Sequence, residues 1–282
     1  MEINVTVVQM APKIFDKESN LEKIKHFIKQ IHADNPENDL IIFPELITTG
    51  YECGEEFYEL AEPFPDSRTI SFLAKLAKHY DTHIIFGFAE EDSDMKGVLY
   101  NSAALIDNEG IPVGVYRKVH LFGTEKQVFR PGCEYPLFRL EIGNIGVSIC
   151  WDTLFPEVAR IYALKGADLL AICANWESPY AKEWDFITSA RAFDNTLHLA
   201  ASNRIGKDNT LSFFGHSRIL NPLGNVITEL GQGVESYATA KIDYNETKNK
   251  RKQYWTQLTD RRPDTYSILA HEHKANVSEN RK

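Results

Sequence analysis

Short β-branched apolar runs alternate along this chain with stretches of helical spacing. Residues 3–10 read as a strand. Apolar positions 21, 24, 27, 28 and 31 then place one face of a helix over 21–31, with Ser19 as the expected N-cap. Residues 40–43 form a short buried strand that ends in Pro44-Glu45. A helix over 69–80, capped by Asp66 or Ser67, leads to strands at 83–89 and 99–107. The Asp107-Asn108-Glu109-Gly110 turn closes a hairpin onto 113–119. Strands follow at 137–142 and 145–150, a helix at 183–195, and strands at 197–202, 216–221, 225–229 and 237–242.

The stretch from 145 to 175 is the most informative. An apolar run ends at Cys150, the chain crosses Trp151-Asp152-Thr153, a helix restarts near Pro156, and a second apolar run covers 169–173. This is strand, turn, helix, strand, with a thiol at a strand end, where α/β sheets present their chemistry. Proline suits the first helical turn, and a helix start favours negative charge and lowers a thiol's pKa. The same residue would serve equally as a small buried hydrophobe. Cys173, inside an apolar strand, is read as core. Glu45 similarly emerges at a strand end, among Phe43, Leu46 and Ile47. The two halves thus resemble each other, and a sandwich of two sheets with helices outside fits the order of elements.

Composition narrows the class. Over 282 residues, 43% are hydrophobic and 25% charged, as in ordinary globular proteins. A formal charge of −9 argues against nucleic acid as a partner. No apolar run approaches the ~20 residues that span a bilayer. The first residues start a strand at once, without the basic region of a secretory signal. Cysteines 53, 133, 150 and 173 lack metal-ligand spacing, so free thiols in a cytoplasmic protein are expected. No Gly-rich phosphate loop and no GxSxG elbow is present, which removes nucleotide-loop and serine-hydrolase readings. Beyond Tyr244 the chain is strongly polar. Its run from Lys248 to Lys252 reads as a solvated helix face, and 271–282 as a disordered tail whose His271 and His273 are too sparse for a metal.

Three blocks, FPEL at 43–46, YRKVHLF at 116–122 and GVSICWDTLFPEVAR at 146–160, resemble the signatures of the nitrilase superfamily, the carbon–nitrogen hydrolases. The resemblance implies a four-layer α-β-β-α sandwich and no metal or organic cofactor. It implies one domain over 1–245, a C-terminal extension over 246–282 that packs in a dimer before the tail, and a homodimer or larger homo-oligomer. By position, Glu45, Lys118 and Cys150 correspond to the catalytic triad, and Glu125 to a second active-site glutamate. In that scheme Cys150 attacks the substrate carbon and forms a thioester. Glu45 moves the protons, and Lys118 with the backbone N–H after Cys150 holds the oxyanion. Lys118 as a Schiff-base lysine would need a cofactor for which no phosphate loop exists.

The superfamily cleaves nitriles, aliphatic amides, ω-amides and N-carbamoyl compounds. Trp151-Asp152 is similar to the amidase and carbamoylase branches, and Cys-Trp-Asp before Phe-Pro-Glu to N-carbamoylputrescine amidases, from which Thr153-Leu154 departs. Tyr51, Trp151, Phe155, Asn175 and Trp176 are the expected substrate-binding residues, with Phe122 and Phe129 as further pocket candidates. Glu52, Glu55 and Glu56 hint at a cationic substrate. His120 and Arg191 are read as structural. The expectation is therefore a hydrolase that releases ammonia from a small linear amide or N-carbamoyl compound. A nitrilase is the alternative within the superfamily, and a non-catalytic binding or scaffold protein of the same fold is the alternative outside it.

Overall fold

The computed structural model describes residues 1–270. In chain order the first half comprises β1 (Glu2–Gln9), α1 (Lys17–Asp34), β2 (Leu40–Ile42), α2 (Phe57–Leu60), α3 (Arg68–Tyr80), β3 (His83–Glu91), β4 (Leu99–Ile106), β5 (Pro112–Arg117) and the single turn α4 (Glu125–Val128). The second comprises β6 (Leu137–Leu140), β7 (Gly143–Ile149), α5 (Pro156–Lys165), β8 (Leu169–Ala174), α6 (Ala181–Phe193), β9 (His198–Asn203), β10 (Ile205–Lys207), β11 (Ser212–Phe214), β12 (Arg218–Leu220) and β13 (Val226–Glu229). Then β14 (Ser236–Asp243) and α7 (Tyr244–Gln253) follow.

The strands form two six-stranded sheets, β14-β1-β2-β3-β4-β5 and β13-β12-β9-β8-β7-β6. Each has a parallel core of three strands, β1-β2-β3 or β7-β8-β9, flanked by antiparallel neighbours. Strand alternation then sorts the side chains into layers. Along β3, Ile84, Phe86 and Phe88 turn outward onto α1 and α3, where they meet Ile24, Ile28, Ile70 and Leu73. Ile85 turns inward with Val5, Val7, Ile42 and Leu105, and joins Ile145, Val147 and Ile149 of the second sheet. Helices α5 and α6 cover the second sheet through Val158, Tyr162 and Trp184. The result is an α-β-β-α sandwich. Burying an aliphatic or aromatic side chain stabilises by about 1.5–3 kcal/mol. With Leu21, Ile24, Phe27, Ile28 and Ile31 all buried, α1 is held mainly by packing.

Most boundaries fall within a few residues of the pattern, and the exceptions have local causes. Helix α1 begins ahead of Ser19 because Asp16 caps it, accepting from the Ser19 N–H at 3.1 Å. Ser67 caps α3, accepting from the Ile70 N–H at 3.2 Å. Strand β12 starts two residues later than expected because His216 takes a left-handed φ of 62°. The hairpin β10–β11 has no counterpart in the sequence reading, since its three-residue strands are too short to show alternation. Lys248 and Lys252 lie exposed on α7, while Tyr244 and Thr247 face inward. The expected tail, with His271 and His273, lies outside the described residues. Among those described, no helix is long and apolar enough to cross a membrane.

Candidate active site

Glu45 sits just beyond β2, where the chain turns back through a left-handed Leu46, φ 45°. The turn fits only because its neighbour on β3 is Gly87. A Cβ there would lie 2.5 Å from the Glu45 Cα. Two backbone bonds fasten the pair, Gly87 N–H to Pro44 O at 3.0 Å and Ile47 N–H to Gly87 O at 3.0 Å. The Glu45 side chain is fully buried. Its Oε1 accepts from Lys118 Nζ and from Asn101 Nδ2, each at 2.7 Å, and its Oε2 accepts from the Asn175 N–H at 2.8 Å.

Lys118 follows β5 and is likewise fully buried. Its backbone is pinned on both sides, N–H to Asn101 O and carbonyl to the Gly132 N–H, both at 2.8 Å. The ammonium spans two carboxylates, Glu45 Oε1 and Glu125 Oε1, both at 2.7 Å. Burial alone would lower its pKa, but Glu125 and Glu45 outweigh burial and hold it above the lysine range, so the group stays charged. Glu125 starts the turn α4. Its Oε1 also accepts the Tyr51 hydroxyl at 2.7 Å, and its Oε2 the Phe122 N–H at 3.2 Å. Burial raises the Glu45 pKa, Lys118 opposes that, and the Glu125 charge adds to it; the direction is up.

Cys150 directly follows β7 with a left-handed φ of 45° and opens a 3₁₀ turn, Cys150–Leu154, before Pro156 starts α5. Only occasional non-glycine residues hold such a backbone, and the surroundings must over-determine it. Here they do. Asp152, fully buried, accepts from the Ile149 N–H at 3.1 Å, the His120 N–H and Nδ1 at 2.9 Å each, and the Tyr116 hydroxyl at 2.7 Å. Arg191 of α6 donates to the carbonyls of Thr153 at 2.8 Å and Leu154 at 3.0 Å. His120 and Arg191 are therefore structural supports of the turn.

One expectation reverses. The sequence suggested a thiol acidified by a helix start. Instead burial first, and then the Glu45 carboxylate, push the Cys150 thiol well above its ordinary value, against the pull of Lys118. The intervening 3₁₀ turn separates Cys150 from α5, and three charged neighbours set its environment. Burial thus disfavours the thiolate of Cys150, and the Glu45 carboxylate disfavours it further.

Cys150 opens onto a cavity of about 430 Å³. Tyr51, Phe122, Trp151, Asn175 and Trp176 line it, together with Leu154, Tyr180, Ile187 and Leu211. Trp151 lies between Phe122 and Trp176, with ring centroids at 4.6 and 6.4 Å. Asn175 is 5% exposed, and neither its Nδ2 nor its Oδ1 has a partner among the described residues. Two candidates lie elsewhere. Phe155 stacks on His120 at 3.6 Å and packs against the core, and Phe129 is buried against Phe57 at 4.8 Å. Glu52 does not face the cavity either. It caps the loop at Thr210 and Leu211, accepting their N–H groups at 2.7 and 3.0 Å, while Glu55 and Glu56 are exposed. The sequence reading missed Asn101, and it took Asp152 only as a mark of the branch, not as the support of the Cys150 turn. An amide inside the apolar run 99–106 was the available signal for Asn101.

A buried Glu–Lys–Cys cluster at the strand ends of an α-β-β-α sandwich is the arrangement expected from the sequence resemblance to carbon–nitrogen hydrolases. The sequence pattern described as "Carbon-nitrogen hydrolase" matches residues 4–252. The chain is 46% identical over 95% of its length to the "Probable nitrilase" of Schizosaccharomyces pombe, covering 99% of that protein. It is 33% identical to the N-carbamoylputrescine amidase of Arabidopsis thaliana, over 90% of this chain and 91% of that one. Among solved structures, the carbon–nitrogen hydrolase of Helicobacter pylori G27 superposes with a TM-score of 0.89 at 28% identity, over 96% and 99% of the two chains. This chain belongs to the carbon–nitrogen hydrolase family of the nitrilase superfamily, and it is an enzyme that hydrolyses C–N bonds.

Proposed function

We propose that the enzyme cleaves a small linear amide or N-carbamoyl compound through a thioester on Cys150. The observation that carries this is the Lys118 ammonium held between Glu45 and Glu125, beside a thiol that opens on an apolar cavity. Glu45, its carboxylate in contact with the Lys118 ammonium, takes the thiol proton as sulfur attacks the carbonyl carbon. Lys118 Nζ and the Trp151 N–H hold the oxygen as it becomes negative. When the tetrahedral intermediate collapses, Glu45 gives the proton to the departing nitrogen and ammonia leaves. Water, deprotonated by the same carboxylate, then opens the thioester. The unpartnered amide of Asn175 is suited to pair with the polar end of the substrate.

The cavity also favours one kind of substrate. Among the described residues that line it none is Lys, Arg or His, while Glu177 and Glu183 are present. A remote carboxylate would enter without a counter-charge. Amides and carbamoyl compounds of a neutral or cationic chain therefore fit better than ω-amides of dicarboxylic acids or N-carbamoyl amino acids. The name of the Arabidopsis relative supports a carbamoyl substrate, whereas that of the Schizosaccharomyces relative favours a nitrile. A homodimer accompanies this reading, supported by the exposed Tyr254, Tyr266, Ile268 and Leu269 near the C-terminal end of the described chain. The same reading has a single hydrolase domain over 1–245, with 246–282 as an extension.

Ammonia release by wild type and Cys150→Ala, across short amides, N-carbamoyl amines, N-carbamoyl amino acids and matched nitriles, tests the assignment. Release by wild type alone, strongest for uncharged or cationic amides and carbamoyl compounds, is the expected result. Turnover confined to nitriles would replace it with a nitrilase.

A further inference from the structure

The hairpin β10–β11 belongs to neither sheet, yet it is tied to the active site by a buried ion pair. Arg204 is fully buried and its guanidinium lies over the Phe213 ring at 4.2 Å. It forks onto Asp208, with Nη1 to Oδ2 at 3.0 Å and Nη2 to Oδ1 at 2.8 Å. The Asp208 side chain is 1% exposed. Its Oδ2 accepts two further bonds from across a gap of more than 150 residues, the N–H of Tyr51 at 2.8 Å and of Glu52 at 3.1 Å. Burial would raise the Asp208 pKa, but Arg204 and these N–H groups hold it below the ordinary carboxylate value.

The residue fixed in this way is Tyr51, whose hydroxyl donates to Glu125 Oε1. The same oxygen takes the Lys118 ammonium. A continuous series of contacts therefore runs from Arg204 through Asp208, Tyr51 and Glu125 to Lys118. The tip of the hairpin meanwhile supplies Leu211 to the cavity wall, where Glu52 caps its N–H.

We propose that Asp208 is a positioning residue for the reaction. Clamped by Arg204, it sets the Tyr51 backbone so that the phenol shares Glu125 Oε1 with Lys118, and it links that geometry to the hairpin that walls the substrate cavity. The proposal rests on the reading in which Lys118 holds the reacting oxygen. It adds that the height of the barrier depends on an ion pair that touches neither substrate nor nucleophile.

A double-variant cycle tests it, with wild type, Tyr51→Phe, Asp208→Asn and the pair, all in a Cys133→Ser background. Two readouts are taken: kcat and KM for ammonia release, and the rate at which a small neutral alkylating reagent modifies Cys150, located by mass spectrometry. Each single change is expected to lower kcat by about 10- to 100-fold with little change in KM, because small misplacements at a reacting centre are costly. The pair is expected to be no worse than the poorer single variant, since residues acting in series are non-additive. Effects that multiply, or an unchanged kcat in folded Asp208→Asn, would overturn the proposal. If Asp208→Asn does not fold, Asp208→Glu takes its place, keeping the charge for Arg204 while shifting the carboxylate by one methylene from the Tyr51 N–H. Should wild type release no ammonia from any compound, the hydrolytic reading fails separately. The alkylation rates then decide: equal, non-additive changes support the series of contacts, and unchanged rates refute it.

Discussion

The backbone N–H of Asn175 donates to Oε2 of Glu45 at 2.8 Å, across 130 positions of sequence and from one sheet to the other. Glu45 follows β2 and Asn175 follows β8, strands that face each other across the core. Together with Lys118 and Asn101 on Oε1, this bond leaves the carboxylate little freedom to rotate, which suits the proton transfers proposed for it.

Glu45→Gln is accordingly expected to fold and to lose turnover. The amide keeps one oxygen for three donors and cannot accept the thiol proton. A fall in kcat of at least about 10²–10⁴-fold is the scale for losing a general base. Steady-state ammonia release and a circular dichroism spectrum check the two halves of the statement. Undiminished turnover would remove Glu45 from the mechanism.

Gly87→Ala tests the same residue from behind. The added methyl meets the Glu45 Cα at 2.5 Å and the Leu46 N at 2.6 Å, both backbone atoms that cannot swing aside. Overpacking of this kind costs about 1–3 kcal/mol. The variant should melt at lower temperature, and its loss of kcat should be out of proportion to its loss of stability. Activity close to wild type in the folded fraction would show that the turn can yield.

Arg191→Met should act on the nucleophile without touching the cavity. It removes the donors to the Thr153 and Leu154 carbonyls and leaves the left-handed Cys150 turn held mainly by Asp152. The expected outcome is a lower kcat and slower alkylation of Cys150, with KM nearly unchanged. A change confined to KM would instead place Arg191 in substrate binding.

Acid sensitivity has a separate origin. Burial lowers the His198 pKa from 6.5 to about 4. The unfolded chain therefore takes up a proton at a pH where the folded one does not. The stability this group allows is complete above about 6.5 and declines as pH falls towards 4, by up to about 3 kcal/mol. Urea midpoints measured between pH 7 and 4 should fall more steeply for wild type than for His198→Asn. Parallel slopes would assign the acid limb to other groups.

Much of this site was legible because its chemistry sits at strand ends bounded by turn residues. Pro44-Glu45 and Cys150 could each be placed from the local alternation of apolar and polar positions. The hairpin β10–β11 was not legible, because strands of three residues carry no period. Nor was the state of the thiol. Its pKa is set by burial and then by Glu45 and Lys118, which lie far away in sequence, while the sequence around Cys150 advertises only a helix start. Phe155 shows the remaining limit: an aromatic next to the nucleophile turn can face His120 as easily as the substrate, and only packing decides which.

The division of the site between the two sheets has one more consequence. During synthesis the carboxylate, the lysine and the thiol all emerge before Asn175, which bonds Glu45, and before Arg191, which braces the Cys150 turn. They become a working set only when the second sheet closes over the first. In the mechanism proposed above, a half-made or misdocked chain would carry an ordinary cysteine, and the ability to be acylated would report that the sandwich has been assembled.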